Sequence, residues 1–217
     1  MSSFPGSPRL LRGGIVVLDP VTSAVLRVIN LQYNPDTLTR SLQIKGVGGE
    51  TGDRIEALRL KGPPVETIKV EAEIDATDQL EIADAQAIQI GLHAILAALE
   101  VLVYPSSTTL QANNDAASSG TLEIIAAEAS LTVFVFGPKR IVPVRFTEFS
   151  IAEEAFDTSL NPIRAKVSLA MRVLTIDDVN FDDKSGGLFM AYLRAKEQLA
   201  SQSTPGTLGA LGITGIP

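Results

Sequence analysis

Cysteine and tryptophan are absent from the 217-residue sequence, and histidine occurs once, as His93. Without cysteine the chain has no disulfide framework, thiolate nucleophile or zinc–thiolate site. One histidine leaves no local signature of a Ser-His-Asp triad or a histidine metal cluster, and we interpret His93 as a structural helix residue. The stretch GVGGETGD at 46–53 matches neither GxGxxG nor GxxxxGK(S/T) and is interpreted as a mobile loop. The sequence therefore predicts a non-enzymatic protein with no catalytic residue, cofactor or metal ion.

Excess positive charge and long apolar runs are also lacking. The net charge is −7, so no long-range attraction to nucleic acid or to an anionic membrane is expected. The longest apolar stretch, 88–103, is interrupted by polar residues and is too polar to span a membrane. The Pro/Gly-rich start has no signal-peptide core. We expect a cytoplasmic protein with no nucleic-acid partner and no direct membrane contact.

Alternating apolar and polar residues are the strongest pattern that is present. In Val65–Ile74 the even positions from Ile68 onward are apolar, and the odd positions are mainly charged. Ile163–Val173 alternates in the same way. This pattern predicts strands with one buried and one solvated face. The charged members of the solvated faces are Lys69, Glu71, Glu73, Arg164, Lys166 and Arg172.

Further segments complete the predicted sheet content. Strands are predicted at 13–19, 25–33, 38–45, 131–136 and 141–151, and a short strand or extended arm at 54–60. In 25–33 the residues expected to face inward shift from Leu26 and Val28 to Ile29, Leu31 and Tyr33, which predicts a β-bulge. Asn34-Pro35 then ends that strand, because Pro35 lacks a backbone donor and restrains Asn34 to an extended conformation.

Two helices are predicted beside the strands. Asp78 and Glu81 resemble a capping box, and apolar residues recur at helical spacing up to Leu99. The small and polar residues 105–120 predict a disordered loop. The second helix is predicted at Gly187–Leu199, with an apolar face that includes Leu199. The flexible Gly-rich tail beyond it carries the docking candidates Leu208, Leu211, Ile213 and Ile216.

The predicted organisation has three parts. Residues 1–12 form a flexible N-terminal arm. Residues 13–176 form a mainly β domain of mostly antiparallel strands around a packed helix, with the disordered loop at 105–120. Residues 177–217 form the C-terminal helix and tail.

Several short motifs, in this order, resemble a known family. QYNP contains Tyr33, Asn34 and Pro35, and it precedes the Ser-bearing strand TLTRSLQI. GPPVETIKVEAEIDATD and a helix running to VYPSS follow, and NPIRAKVSLAMRVL resembles a PxRAxVxxxF return strand. Over roughly residues 13–176 the chain is similar to the contractile injection system tube-protein family, the phage-tail-like baseplate proteins that join the central spike to the inner tube.

The resemblance implies a fold and a set of partners. The fold would be a tail-tube-like barrel of two packed antiparallel sheets with a helix at one side. Six copies would form a ring that contacts the inner-tube protein, a VgrG-like spike protein and other baseplate subunits. The corner Tyr33-Asn34-Pro35 and the six charged residues above would then lie at the ring interface or in the lumen. Two alternatives remain open at this point: the polymerising inner-tube subunit, and a monomeric β-barrel that binds a small ligand.

Overall fold

The computed structural model describes residues 11–19, 22–46, 59–120 and 130–216. Most of the predicted N-terminal arm, nearly all of the predicted loop at 46–53 and residues 54–58 of the predicted strand or extended arm at 54–60 lie outside these ranges. At their margins, an isolated antiparallel bridge joins Gly46 to Leu60.

Seven strands form the body of the described part of the chain. They are β1 (Gly14–Leu18), β2 (Val25–Asn30), β3 (Leu38–Gln43), β4 (Val65–Asp75), β5 (Leu131–Val135), β6 (Ile141–Phe156) and β7 (Pro162–Val173). They pair in the order β2-β1-β5-β6-β7-β4-β3, and every pairing is antiparallel. The prediction of a mainly β, antiparallel chain is confirmed.

The described strands form one open sheet, and the predicted pair of sheets closed into a barrel is not found among them. Strands β2 and β3 are its edges and do not pair with each other. They are nevertheless consecutive in sequence. The link from Asn30 to Leu38 spans at most roughly 28 Å when fully extended, whereas the edges of a flat seven-stranded sheet lie roughly 29 Å apart. Because the link also contains bends, the sheet must curl so that its edges approach each other.

One face of the sheet is covered by helices and forms the core. Helices α1 (Thr77–Glu81), α2 (Ala85–Ile90), α3 (His93–Glu100) and α4 (Ser107–Ser118) lie between β4 and β5, and α5 (Lys184–Ser201) follows β7. Leu96 of α3 and Phe189 of α5 belong to the same buried cluster as Ile68, Phe134 and Met171 of the sheet. Burial of these side chains supplies the main driving force for folding.

The predicted bulge in the second strand exists, but it lies nearer the start of the strand. Val17 faces Arg27 and Leu18 faces Val25, so Leu26 is the extra residue. Only Ile29 of β2 is buried; Leu26 and Val28 are exposed. The expectation that Leu26 and Val28 face inward is therefore wrong, because the strand is an edge whose outer face is uncovered.

The predicted helix at 78–99 is broken into three short helices. Ala83 and Gly91 have φ values of 55° and 53°, in the left-handed region, and each ends a helical segment. The predicted capping box is also wrong. Ala76 is the N-cap of α1 and no side chain caps it; instead the Asp75 carboxylate accepts hydrogen bonds from the backbone N–H and the hydroxyl of Thr77.

The prediction of a disordered loop at 105–120 is wrong, because α4 occupies most of it. The Ser106 hydroxyl caps this helix by accepting a hydrogen bond of 3.1 Å from the Thr109 N–H. Gln111 donates to Asp115 one turn later, at 2.9 Å. Such local bonds stabilise a helix in a polar sequence that has no buried residue of its own.

The C-terminal helix is longer than predicted. It begins at Lys184 and ends at Ser201. Phe189 and Tyr192 are buried, but Leu199 is exposed near the helix end, so the predicted apolar face is only partly used. Among the described residues, no helix is both long and apolar enough to cross a membrane.

Candidate assembly surfaces

The six charged residues predicted for an interface or lumen lie on one face of two neighbouring strands. In β4 they alternate with buried residues, and β4 pairs directly with β7. In that register Glu73 lies opposite Lys166, and Asp75 lies opposite Arg164. The structure thus brings Lys69, Glu71, Glu73, Arg164, Lys166 and Arg172 together on the side of the sheet away from the helices. We call this surface the charged face.

Most charges on the charged face are paired within the chain. The ion pairs are Arg164–Asp75 at 2.9 Å, Lys166–Glu154 at 3.1 Å, Lys69–Glu148 at 3.4 Å and Arg172–Asp178 at 2.5 Å. The two exposed pairs, Lys69–Glu148 and Lys166–Glu154, contribute at most about 1 kcal/mol each. The main effect of the ion pairs is to leave a hydrated surface on which most charges are already compensated.

The pKa values of this face follow from the pairs. Burial tends to raise the pKa of Asp75, but hydrogen bonds from Thr77 and Arg164 outweigh it and lower that pKa. The hydrogen bond to Glu154 raises the pKa of Lys166. Both shifts favour the charged forms, so the pairs persist at neutral pH.

A shallow groove of about 470 Å³ crosses the charged face. The small residues Ser168 and Ala170 of β7 lie along it, and the longer side chains of Lys69, Glu71 and Glu148 border it. The groove is a feature of the polar side of the sheet and is separate from the apolar core.

The edge strand β2 exposes three aliphatic side chains. Val25, Leu26 and Val28 are 62%, 57% and 54% exposed. Among the described residues, strand β2 pairs only with β1, so the backbone groups on its other side have no partner strand there. Unpaired edges of this kind can pair with a strand of another chain.

The other free edge also carries exposed aliphatic side chains. Leu42 of β3 and Ile44 just after it are exposed, and within the described ranges β3 pairs only with β4. In that part of the chain the sheet therefore has two unpaired edges, each with exposed apolar side chains.

The Tyr33-Asn34-Pro35 corner lies beyond the end of β2, not directly at it as predicted. Strand β2 ends at Asn30 rather than Tyr33, so Asn34-Pro35 does not end it directly. The Asn34 side chain accepts from the Gly13 N–H at 2.9 Å and donates to the Leu11 carbonyl at 2.7 Å. Asn34 thus holds the segment that leads into β1. Tyr33 is about half exposed.

The four predicted docking residues of the tail are all exposed. Leu208 and Leu211 bound a 3-10 turn that Thr207 caps and that ends at Gly212 in the left-handed conformation. Leu208, Leu211, Ile213 and Ile216 lie outside the core cluster. The structure does not bring them together with the charged face.

Sequence reasoning missed a buried carboxylate, Glu66. Its Oε1 accepts from Arg40 at 2.7 Å and from the Tyr192 hydroxyl at 2.9 Å, and its Oε2 accepts from Lys196 at 2.8 Å. Burial tends to raise the pKa of Glu66, but the hydrogen bonds from Lys196 and Arg40 lower it. These contacts join edge strand β3 to α5 through β4. The signal in the sequence was the even position of Glu66, in phase with the inward residues Ile68 and Val70.

Comparison with known proteins does not assign the chain to a family. No protein-family model matches the sequence, and no curated protein matches it significantly. Within the described ranges, no group of three or more His, Cys, Asp or Glu side chains could hold a metal ion. The function of the chain is therefore inferred from its own surfaces.

Proposed function

We propose that the chain is a non-enzymatic structural subunit of a contractile injection particle. Six copies form a ring that connects the spike and baseplate hub to the inner tube and initiates tube assembly. The motif order from Tyr33-Asn34-Pro35 to the return strand β7 supports this family. The observation that carries the proposal is the open, curled sheet, whose two edges have no partner strand among the described residues and of which β2 exposes Val25, Leu26 and Val28.

The edges supply a physical route to a ring. An unpaired strand gains backbone hydrogen bonds when it meets a strand from another subunit, and apolar side chains on it gain burial. Contacts between two different surfaces of one chain are head-to-tail and close into a ring when the rotation allows. In the proposed ring each subunit uses its β2 and β3 edges in this way, and the joined sheets complete the tube-like barrel.

The charged face is assigned to the lumen in this arrangement. Its ion pairs, such as Asp75–Arg164 and Glu154–Lys166, are made within one chain. A surface that compensates its own charges does not need a neighbour to do so, and it stays hydrated. Both properties suit the wall of a channel better than a subunit contact.

Two exposed elements favour a junction ring over the repeating tube subunit. Helix α4 has no buried residue, and the tail after α5 exposes Leu211 and Ile216. In a stack of identical rings such elements would recur at every level. At a single junction they are available to the spike, the inner-tube protein or another baseplate subunit.

A monomeric ligand-binding barrel is less compatible with the core. The side of the sheet that would line such a cavity is filled by a single buried cluster that includes Phe134, Met171 and Leu96. A barrel that holds a ligand leaves interior space.

Electron microscopy of the chain expressed with its neighbouring genes tests the proposal. Six-fold rings, or particles with this chain at the spike–tube junction, are the expected result. A monodisperse monomer that joins no particle and gains thermal stability from a small ligand would favour the ligand-binding barrel instead. Extended tubes of this chain alone would favour the polymerising tube subunit.

A further inference from the structure

Two arginines lie side by side on the charged face. Arg145 of β6 and Arg172 of β7 are direct partners in the register of the two strands, so their side chains leave the sheet on the same side. The β-carbons of such partners are about 4.5–5.5 Å apart, and like charges placed directly opposite each other are destabilising. The pair therefore needs compensating negative charge close by.

The compensation that the described part of the chain supplies is incomplete. Asp178 accepts one hydrogen bond from Nη2 of Arg172, at 2.5 Å. The same carboxylate also accepts from the backbone N–H and the hydroxyl of Thr175, so it is shared. Within the described ranges no carboxylate forms an ion pair with Arg145. One of the two positive charges thus has no counter-charge in that part of the chain.

Arg172 also carries a buried donor without a partner. Its Nε atom is buried, and among the described residues it has no hydrogen-bond partner. No other buried side-chain nitrogen or oxygen in a residue that is described and not exposed lacks one. Buried polar groups are normally hydrogen-bonded, so an unpaired one indicates a missing partner. Arg145 is exposed and the Arg172 side chain is 24% exposed, so a small solute can approach the pair from solvent.

The neighbouring side chains on this face leave the arginine pair positive. Thr67 of β4 is the partner of Arg172 on the side away from β6, and it offers a hydroxyl. In the next row of the sheet, Lys69 and Glu148 form an ion pair with each other and so compensate their own charges. Guanidinium groups bind oxyanions through paired N–H donors, and a hydroxyl can donate to a further oxygen. The missing partner is therefore expected to be an oxyanion.

We propose that Arg145 and Arg172 hold a phosphate group between them. Its oxygens accept hydrogen bonds from both guanidinium groups and from the Thr67 hydroxyl. Binding turns the Arg172 guanidinium so that its Nε–H also faces the anion, while Asp178 keeps its bonds to Thr175. A phosphate is favoured over a carboxylate, because it has more acceptor oxygens and a higher negative charge to share between two guanidinium groups. The site lies within one chain and uses neither sheet edge, so it does not depend on the proposed ring.

NMR of the arginine Nε–H groups during a phosphate titration of the full chain tests the site. The signals of Arg145 and Arg172 are identified by their loss in Arg145→Gln and Arg172→Gln. Inorganic phosphate at constant ionic strength is expected to shift both signals with a Kd in the millimolar range or below, and chloride is expected to shift neither. The phosphate affinity of Arg145→Gln is expected to be at least about tenfold lower.

Methyl phosphate in a parallel titration distinguishes the two sources of a phosphate group. Tighter binding of methyl phosphate than of inorganic phosphate would identify the ligand as a phosphate ester. Equal or weaker binding of the ester would identify it as the free ion. Both results support the site, because in each case the two arginines bind the phosphate group itself.

Arg164→Gln is the matched control. Arg164 lies on the same strand and face as Arg172, but it pairs with Asp75 and has no arginine opposite it. This variant is expected to bind phosphate as the unmodified chain does. Circular dichroism establishes that each variant is folded, and Arg145→Gln keeps the test valid even where Arg172→Gln does not fold. Unshifted arginine signals at millimolar phosphate, unchanged affinity in Arg145→Gln, or an equal loss of affinity in Arg164→Gln would each overturn the proposal.

Discussion

The side-chain amide of Gln32 forms two hydrogen bonds with the backbone of Asp75. It donates to the Asp75 carbonyl at 2.7 Å and accepts from the Asp75 N–H at 2.9 Å. Gln32 follows the edge strand β2, and Asp75 ends β4, next to the opposite edge β3. Strand β3 covers β4 only as far as Val70. A single side chain therefore takes the place of a strand partner where the two sides of the curled sheet approach each other.

Gln32→Ala should lower the free energy of unfolding by about 1–3 kcal/mol, because it leaves the Asp75 N–H and carbonyl without these partners. Urea denaturation measures the change. Gln43→Ala, at an exposed position of β3, is the matched control and should change stability by less than about 0.5 kcal/mol. Equal effects of the two variants would show that the Gln32 contact does not hold the curled sheet.

Glu66→Gln should destabilise the protein by about 2–3 kcal/mol, because the amide cannot compensate the charges of Arg40 and Lys196. The control is Glu71→Gln, five positions along the same strand on the charged face, which should change stability by less than about 0.5 kcal/mol. Chemical denaturation of both variants at neutral pH measures the two changes in stability. A small effect at Glu66 would mean that the cluster joining β3 to α5 adds little to stability.

The dependence of stability on acid pH should reveal the contribution of the Glu66 carboxylate. Its pKa in the folded chain is lowered from the ordinary value of 4.5. The unfolded chain therefore binds a proton first as pH falls, so the Glu66 contribution is present above pH 4.5 and is lost at lower pH. The stability of Glu66→Gln should fall less steeply below that value. Parallel acid curves for the two proteins would contradict the assignment.

Tyr192→Phe should change the response to alkali. Burial, and then the charge of Glu66, raise the pKa of Tyr192 from 10.0 to about 12. Above pH 10.0 the unfolded chain loses this proton while the folded chain keeps it, so stability falls as pH rises toward 12. The phenylalanine variant should be less stable at neutral pH by about 1–2 kcal/mol, with a weaker decline in alkali. Urea denaturation across this range gives both quantities, and an unchanged slope would argue against the Tyr192–Glu66 contact.

Gly91→Ala should destabilise the chain by about 3 kcal/mol. Gly91 has a φ of 53°, and an added Cβ would lie 2.4 Å from the Pro162 carbonyl oxygen. Gly187→Ala is the contrasting case: no atom lies within 4 Å of the added carbon, and the residue is in α5. It should stabilise the chain by about 0.5–1 kcal/mol. Thermal unfolding of both variants measures these two opposite changes in stability. Destabilisation by both would argue against local strain at Gly91.

Strand content could be predicted because each long strand has one buried and one solvated face. The alternation in Val65–Ile74 and Ile163–Val173 sets side-chain direction directly, so six charged residues were correctly assigned to solvated faces. It could also have shown that Glu66 is inward. The sequence gives no comparable sign that Arg40, Tyr192 and Lys196 meet Glu66, since these contacts join β3, β4 and α5 across long sequence separations.

The sequence predictions that the structure contradicts failed for two physical reasons. Periodicity continued through Ala83 and Gly91, where the backbone takes left-handed conformations that only a structure reveals. Polarity at 105–120 suggested disorder, but capping by Ser106 and local side-chain bonds form a helix there without a buried face. The order of strands depends on long-range pairing, so a single open sheet could not be distinguished from two packed sheets by pattern alone.

The ring is tested most directly by native mass spectrometry of the chain, alone and co-purified with the products of its neighbouring genes. A species with six copies of the 23.0 kDa chain is expected. Leu26→Lys/Val28→Lys, which places charge on the β2 edge, is expected to remove this species while the variant stays folded. Ser41→Lys/Gln43→Lys provides the corresponding test at the β3 edge. A monomer in every preparation, or six copies that persist in both edge variants, would contradict assembly through the free edges of the sheet.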